Sequence, residues 1–158
     1  MLEEAFDLVY TKFQIQFYRR IFDRFESREA TLTTVETFCV QCIIALGEPT
    51  IAEFSNFIGI STPNAAYKVA SLVRKGYVEK IQSKTDRREY HLRPTERARN
   101  YDNISREYRH AVMRRVKERF TPEESAELAR MLRIVANELM PELQLPEENK
   151  AEAEKAEK

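Results

Sequence analysis

The sequence predicts a mainly α-helical chain with one small β-hairpin, in which two short helices and the hairpin lie between long terminal helices. Three observations lead there. Only three glycines occur in 158 residues, where average usage of about 7% would give about eleven, and charged residues reach 33% against a usual figure of about 25%. Apolar residues recur every three or four positions along most of the chain. After Gly76 that period gives way to a strand-like pattern around a polar tip. The length suits one domain, or one domain with extensions, and suffices for a hydrophobic core.

From Glu3 to about Arg28, the residues Phe6, Val9, Phe13, Phe17, Ile21 and Phe25 mark an amphipathic helix, and Tyr10, Tyr18 and Phe22 widen its apolar stripe. A helix apolar over more than one face needs more than one neighbour, which favours sharing with a partner subunit. The stretch LTTVETFCVQCIIALGEP places Thr33 three residues before Glu36, a capping box, with Val35, Phe38, Cys42 and Leu46 as its apolar side and a stop at Gly47 and Pro49. Thr50 and Glu53 repeat the box for a shorter helix carrying Phe54, Phe57 and Ile58, which Gly59 ends. Ser61 or Thr62 then caps a third helix with Pro63 in its first turn, so two helices meet across a turn of helix-turn-helix length.

That third helix, from about Pro63 to Lys75, has Ala65, Val69, Leu72 and Val73 on its inward side. Asn64, Tyr67, Lys68, Ser71 and Lys75 form an outward stripe of hydrogen-bonding groups suited to a major groove: asparagine pairs bidentately with adenine, lysine reaches guanine or phosphate, and tyrosine and serine reach phosphates or base edges. YVEKIQ and EYHLR are the hairpin strands, and the tip between them carries Lys84, Arg87 and Arg88, with Asp86 placed to orient one of the arginines for a minor groove. A long basic helix from Thr95 to Phe120 follows, with Tyr101, Ile104, Tyr108, Val112 and Val116 on one side. Thr121, Pro122 and Glu124 start another, whose apolar side is Leu128, Met131, Leu132, Val135 and Leu139. Past Pro141 the tail has too little apolar surface to pack and is expected to be disordered.

The 26 basic and 26 acidic residues cancel overall but not locally. Residues 62–119 hold 16 Lys and Arg against 7 Asp and Glu, an excess that attracts a polyanion while acidic flanks confine the attraction. The spacing of the glycines excludes dinucleotide and P-loop phosphate sites. With no apolar run near the roughly 18 residues of a membrane span and an acidic start, a soluble cytoplasmic protein without membrane contact is expected. Cys39 and Cys42 form a CxxC, but in the second turn or later of a helix rather than at its start, so buried thiols are expected over a peroxide sensor. Zinc on Cys39, Cys42, His91 and His110 is disfavoured because the histidines fall in separate elements. No carboxylate pair marks an acid and base, so neither an enzyme nor a cofactor is expected.

This layout, from about residue 5 to 140, resembles the MarR family of winged helix-turn-helix transcriptional regulators. The resemblance rests on LTTVETFCVQCIIALGEPT, on IAEFSNFIGISTPNAAYKVASLVRKGYVEK and on the wing KTDRREYHLRPTER, with Asp86 and Arg88 as the family's Asp-x-Arg. Pro94 stands where the family has a leucine before Thr95, Ala98 where it usually has a glycine, and Ala66 and Tyr67 where a Thr-Arg pair is common. The resemblance implies a homodimer joined by residues 1–30 and 96–140, a DNA-binding lobe at 31–95 and an acidic tail at 141–158. It implies a repressor that binds double-stranded DNA at a pseudo-palindromic operator and responds to a small-molecule effector. The DNA contacts it implies are Ser61, Thr62, Asn64, Tyr67, Lys68, Ser71, Lys84, Asp86, Arg87 and Arg88, with Arg88, held by Asp86, in the minor groove. Two rivals are a winged helix that docks an acidic protein partner and a thiol sensor using Cys39 and Cys42.

Overall fold

The computed structural model describes residues 1–26 and 32–146, the side chains of 24–26 excepted. The expected end of the first helix near Arg28, the side chain of Phe25 and the tail from 147 onward lie outside that description. The elements run α1 (Leu2–Glu26), α2 (Thr34–Leu46), α3 (Ile51–Ile58), α4 (Thr62–Arg74), β1 (Val78–Gln82), β2 (Tyr90–Pro94), α5 (Glu96–Arg119) and α6 (Pro122–Glu138). The mainly helical class with one hairpin is therefore observed, and each boundary has a local cause. Thr33, Thr50 and Thr121 close full capping boxes with Glu36, Glu53 and Glu124, while Thr95 caps α5 through Ala98 N–H. Of the two candidates for capping α4 it is Ser61 whose hydroxyl accepts from Asn64 N–H. Gly47 and Gly59 end α2 and α3 in the left-handed conformation, which costs a residue without Cβ nothing.

One core holds the middle of the chain together. Val40 and Ile43 of α2, Phe54 of α3, Val69 and Leu72 of α4, Tyr77 and Val78 at the start of the hairpin, and Leu92 of β2 are all essentially inaccessible to water. Tyr101 and Ile104 extend the core to α5, and Ile21 extends it to the end of α1. β1 and β2 pair antiparallel with Val78 opposite Pro94 and Gln82 opposite Tyr90. The connection between α2 and α3 adds one rung beside β2: Leu92 N–H donates to the Pro49 carbonyl at 2.8 Å, and Thr50 bridges to His91. Glu48, in a left-handed conformation at φ +57°, is held there by a bidentate pair with Arg93 at 2.7 and 3.3 Å. The hairpin base is thereby fixed to the helix-turn-helix.

Two helical phases differ from the sequence expectation. In α2 the buried positions are Thr37, Cys39, Val40, Cys42 and Ile43, whereas Val35 and Phe38, expected inside, are exposed. The apolar run FCVQCIIAL has little periodicity, so its rotation is decided by the packing partners rather than by its own pattern. In α4, Val73 is partly exposed while Ala65, Val69 and Leu72 are fully buried. The inward stripe is one residue narrower than its apolar sequence suggests.

The terminal helices are different in kind. α1 meets α5 through Phe13, edge-on to Tyr108 at 5.7 Å, and through an Arg20–Glu107 ion pair, but its first eleven residues are exposed. No residue of α6 is buried.

Candidate nucleic-acid interface

α4 begins at an N-terminus that is open to solvent, and Ser61, Thr62, Asn64 and Tyr67 are all exposed there. Tyr67 keeps 72% of its surface in water. The first N–H groups of a helix and its dipole favour an anion, so this end suits a phosphate as well as a base edge. The expected stripe from Asn64 to Lys75 is not continuous, however. Lys68, Ser71 and Lys75 are half-buried and lean on α2. Lys68 lies near enough to Cys39 for its charge to act on that thiol. Ser71 Oγ donates to Glu36 Oε1 at 2.8 Å, and Lys75 Nζ donates to Glu36 Oε2 at 2.8 Å. These residues lie a fraction of a turn round from Tyr67, so a neighbouring helix captures them instead of solvent.

The position that spacing could have exposed is Arg74. It lies seven residues, about two turns, after Tyr67 on the same side of the helix, and it is exposed. The signal was present in the sequence, since Pro63, Tyr67, Ala70 and Arg74 recur at helical intervals.

The hairpin tip brings Lys84, Asp86, Arg87 and Arg88 together, all exposed. Asp86 acts on Arg88, but through the backbone: its Oδ1 accepts from Arg88 N–H at 2.9 Å, an Asx turn, and among the described residues no ion pair joins it to a guanidinium. Ser83 Oγ accepts from the N–H groups of Thr85 and Asp86, and Gln82 Nε2 donates to the Arg87 carbonyl at 2.8 Å. The tip backbone is thus bonded to itself. Three cations project from it, and among the described residues no carboxylate forms an ion pair with them.

Behind the helix-turn-helix a cavity of about 590 Å³ opens between α1, α2 and α5. Aromatic and aliphatic side chains such as Phe17, Ile21, Phe38 and Tyr101 line it, together with the hydroxyls of Thr33, Thr34 and Thr37. Tyr101 and Thr37 share a buried hydrogen bond of 3.0 Å on its floor.

The thiols behave as core. Cys39 and Cys42 are buried and free, and burial pushes Cys42 up to about 11 and Cys39 in the same direction. At neutral pH both are thiols rather than the thiolates that peroxide chemistry needs. His91 lies in β2, with Nδ1 3.0 Å from the Glu48 carbonyl, and His110 lies on α5. Among the described residues no group of three metal-ligating side chains occurs, and no helix is long and apolar enough to cross a membrane.

Residues 32–90 match the MarR family. Over that stretch the winged lobe is similar to the MarR family. Solved structures agree on the fold across most of the chain. A MarR family protein from Bacillus stearothermophilus superposes with a TM-score of 0.63 at 19% identity, over 87% of this chain and 92% of that one. Streptococcus pneumoniae FabT in complex with DNA gives 0.61 at 19% identity, over 88% and 97%. Transcriptional regulator Tm0710 from Thermotoga maritima gives 0.59 at 18%, over 85% and 91%. Among curated proteins no match is found.

Proposed function

We propose that this chain is a regulator of transcription of the MarR family that binds double-stranded DNA sequence-specifically as a homodimer on a pseudo-palindromic operator. One observation carries the reading. The open start of α4, with Asn64 and Tyr67 exposed, shares the lobe with a basic hairpin tip whose cations have no carboxylate ion-pair partner among the described residues. In this reading Asn64 and Tyr67 meet base edges in the major groove, Ser61, Thr62 and Lys68 meet phosphates, and Arg74 meets a phosphate further along. Arg88, on a turn shaped by Asp86, enters the minor groove, while Lys84 and Arg87 contact the backbone. Two lobes related by a two-fold axis place their helices about one turn of DNA apart, on the order of 34 Å. The match to a structure solved with DNA supports this assignment.

The exposed apolar residues of α1 and α6 supply the surface for pairing, and the cavity beside α2 supplies a place for a small uncharged, partly aromatic effector. Repression, release by that effector and a cytoplasmic setting complete the proposal. Titration of the protein with duplex DNA tests it. If 6 to 10 phosphates are contacted, affinity falls by about 10³ to 10⁵ between 50 and 200 mM salt. A flat response to salt contradicts the proposal.

A further inference from the structure

The carboxylate of Glu36 joins three parts of the lobe. It closes the cap of α2, where Thr33 N–H donates to Oε2 at 2.8 Å and Glu36 N–H donates back to Thr33 Oγ1 at 3.2 Å. It accepts from Ser71 and Lys75, one turn apart on the second half of α4. Its side chain is 14% exposed, and that of Lys75 is 32% exposed. Burial would raise the acid, but hydrogen bonds from Lys75, the Thr33 backbone and Ser71 outweigh it and hold Glu36 at about 2, ionised at any physiological pH. A capping box needs a side chain at this position, yet it uses only one carboxylate oxygen. Glutamine would serve the cap as well, and the second oxygen and the charge are spent on α4.

We infer that Glu36 is a positioning residue for DNA reading, clamping the second half of α4 to the first turn of α2 so that Asn64 and Tyr67 are presented at a fixed angle. The inference rests on the proposed function and adds to it a residue that touches no DNA. It also supplies a route for control. Thr33, Thr34 and Thr37 of the same turn line the cavity, and Thr37 Oγ1 bonds both the Thr33 carbonyl and the Tyr101 hydroxyl. A displacement of that turn is carried to α4 through one carboxylate.

The test compares the full-length protein with Glu36→Gln, Lys75→Met and the double variant. Each is titrated with a duplex obtained by selection from random DNA and with an unrelated duplex of equal length, at several salt concentrations. The expected result is a loss of about tenfold on the selected duplex for each single variant, with the unrelated duplex and the salt slope unchanged. The double variant should be no weaker than the worse single one, because both remove the same clamp. Ser71→Ala breaks the Oε1 link without touching the cap, and should weaken selected binding in the same selective way if Glu36→Gln proves poorly folded by thermal melting. Equal losses on both duplexes, or additive losses in the double variant, overturn the inference. So does a gain on both duplexes with a steeper salt slope for Glu36→Gln, which would make Glu36 a mere mask on Lys75. A wild-type protein that binds both duplexes equally, or neither, defeats the regulator reading itself and the clamp with it.

Discussion

The winged lobe and the terminal arms are built from similarly apolar sequence and reach opposite ends of the burial scale. In the lobe Ile43, Phe54, Val69, Leu72 and Leu92 are sealed from water, the helix starts are capped, and the hairpin base is tied down through Arg93, Glu48 and Pro49. In the arms Phe6 and Leu139 stay 58% and 66% exposed, with Val9, Leu132 and Val135 beside them on the same helices. An apolar surface of that kind on a single chain marks an interaction site. The lobe, with Ile21, Tyr101 and Ile104 packed on it, is complete within one chain, and the outer parts of the arms are covered only in the proposed dimer. The match to the MarR family and the proposed DNA reading belong to the first region, and the proposed pairing of chains belongs to the second.

Substitutions should therefore act differently in the two regions. The largest effect is expected in the lobe: Phe54→Ala removes a fully buried ring and should cost about 3–5 kcal/mol of unfolding free energy by denaturant titration. In the arms, Leu132→Ala should cost about 1.5–3 kcal/mol of association while leaving the lobe's own unfolding unchanged. A lobe that melts early in Leu132→Ala would erase the distinction. Acid offers a test within the lobe. The folded value for Glu36, about 2, lies below its ordinary 4.5, so its contribution is complete above about pH 5 and is lost as pH falls from 4.5 towards 2. That contribution is on the order of 1–3 kcal/mol, and thermal melts in this range should lose part of their pH slope in Glu36→Gln. The smallest effect is at the wing, where Arg88→Ala should lower affinity for A·T-rich flanks by about 1 kcal/mol without changing stability. Unchanged flank preference would remove Arg88 from the minor groove.

Much of the lobe was legible because its signals are local. Thr33, Thr50 and Ser61 announce helix starts through chemistry contained in four residues, and the change of period after Gly76 announces the hairpin. What the sequence concealed depends on neighbours. Val35 and Phe38 sit in a run too uniformly apolar to define its own rotation. Ser71 and Lys75 look like groove-readers on a helical projection, yet their partner is 35 or more positions away in the chain. Asp86, expected to orient an arginine, does so through the Arg88 backbone, since an aspartate two residues before an N–H reaches that group more readily than a mobile side chain. Arg74 shares the exposed side of Tyr67 two turns further on, a spacing the sequence carries.

In the proposed regulator a reading head complete in each chain is delivered to DNA in duplicate by the arms. Sedimentation of the protein alone and on a selected duplex measures this directly. The free species should have twice the 18.6 kDa chain mass, and the complex should hold two chains per operator. A monomer of 18.6 kDa that binds the operator one chain at a time would contradict it.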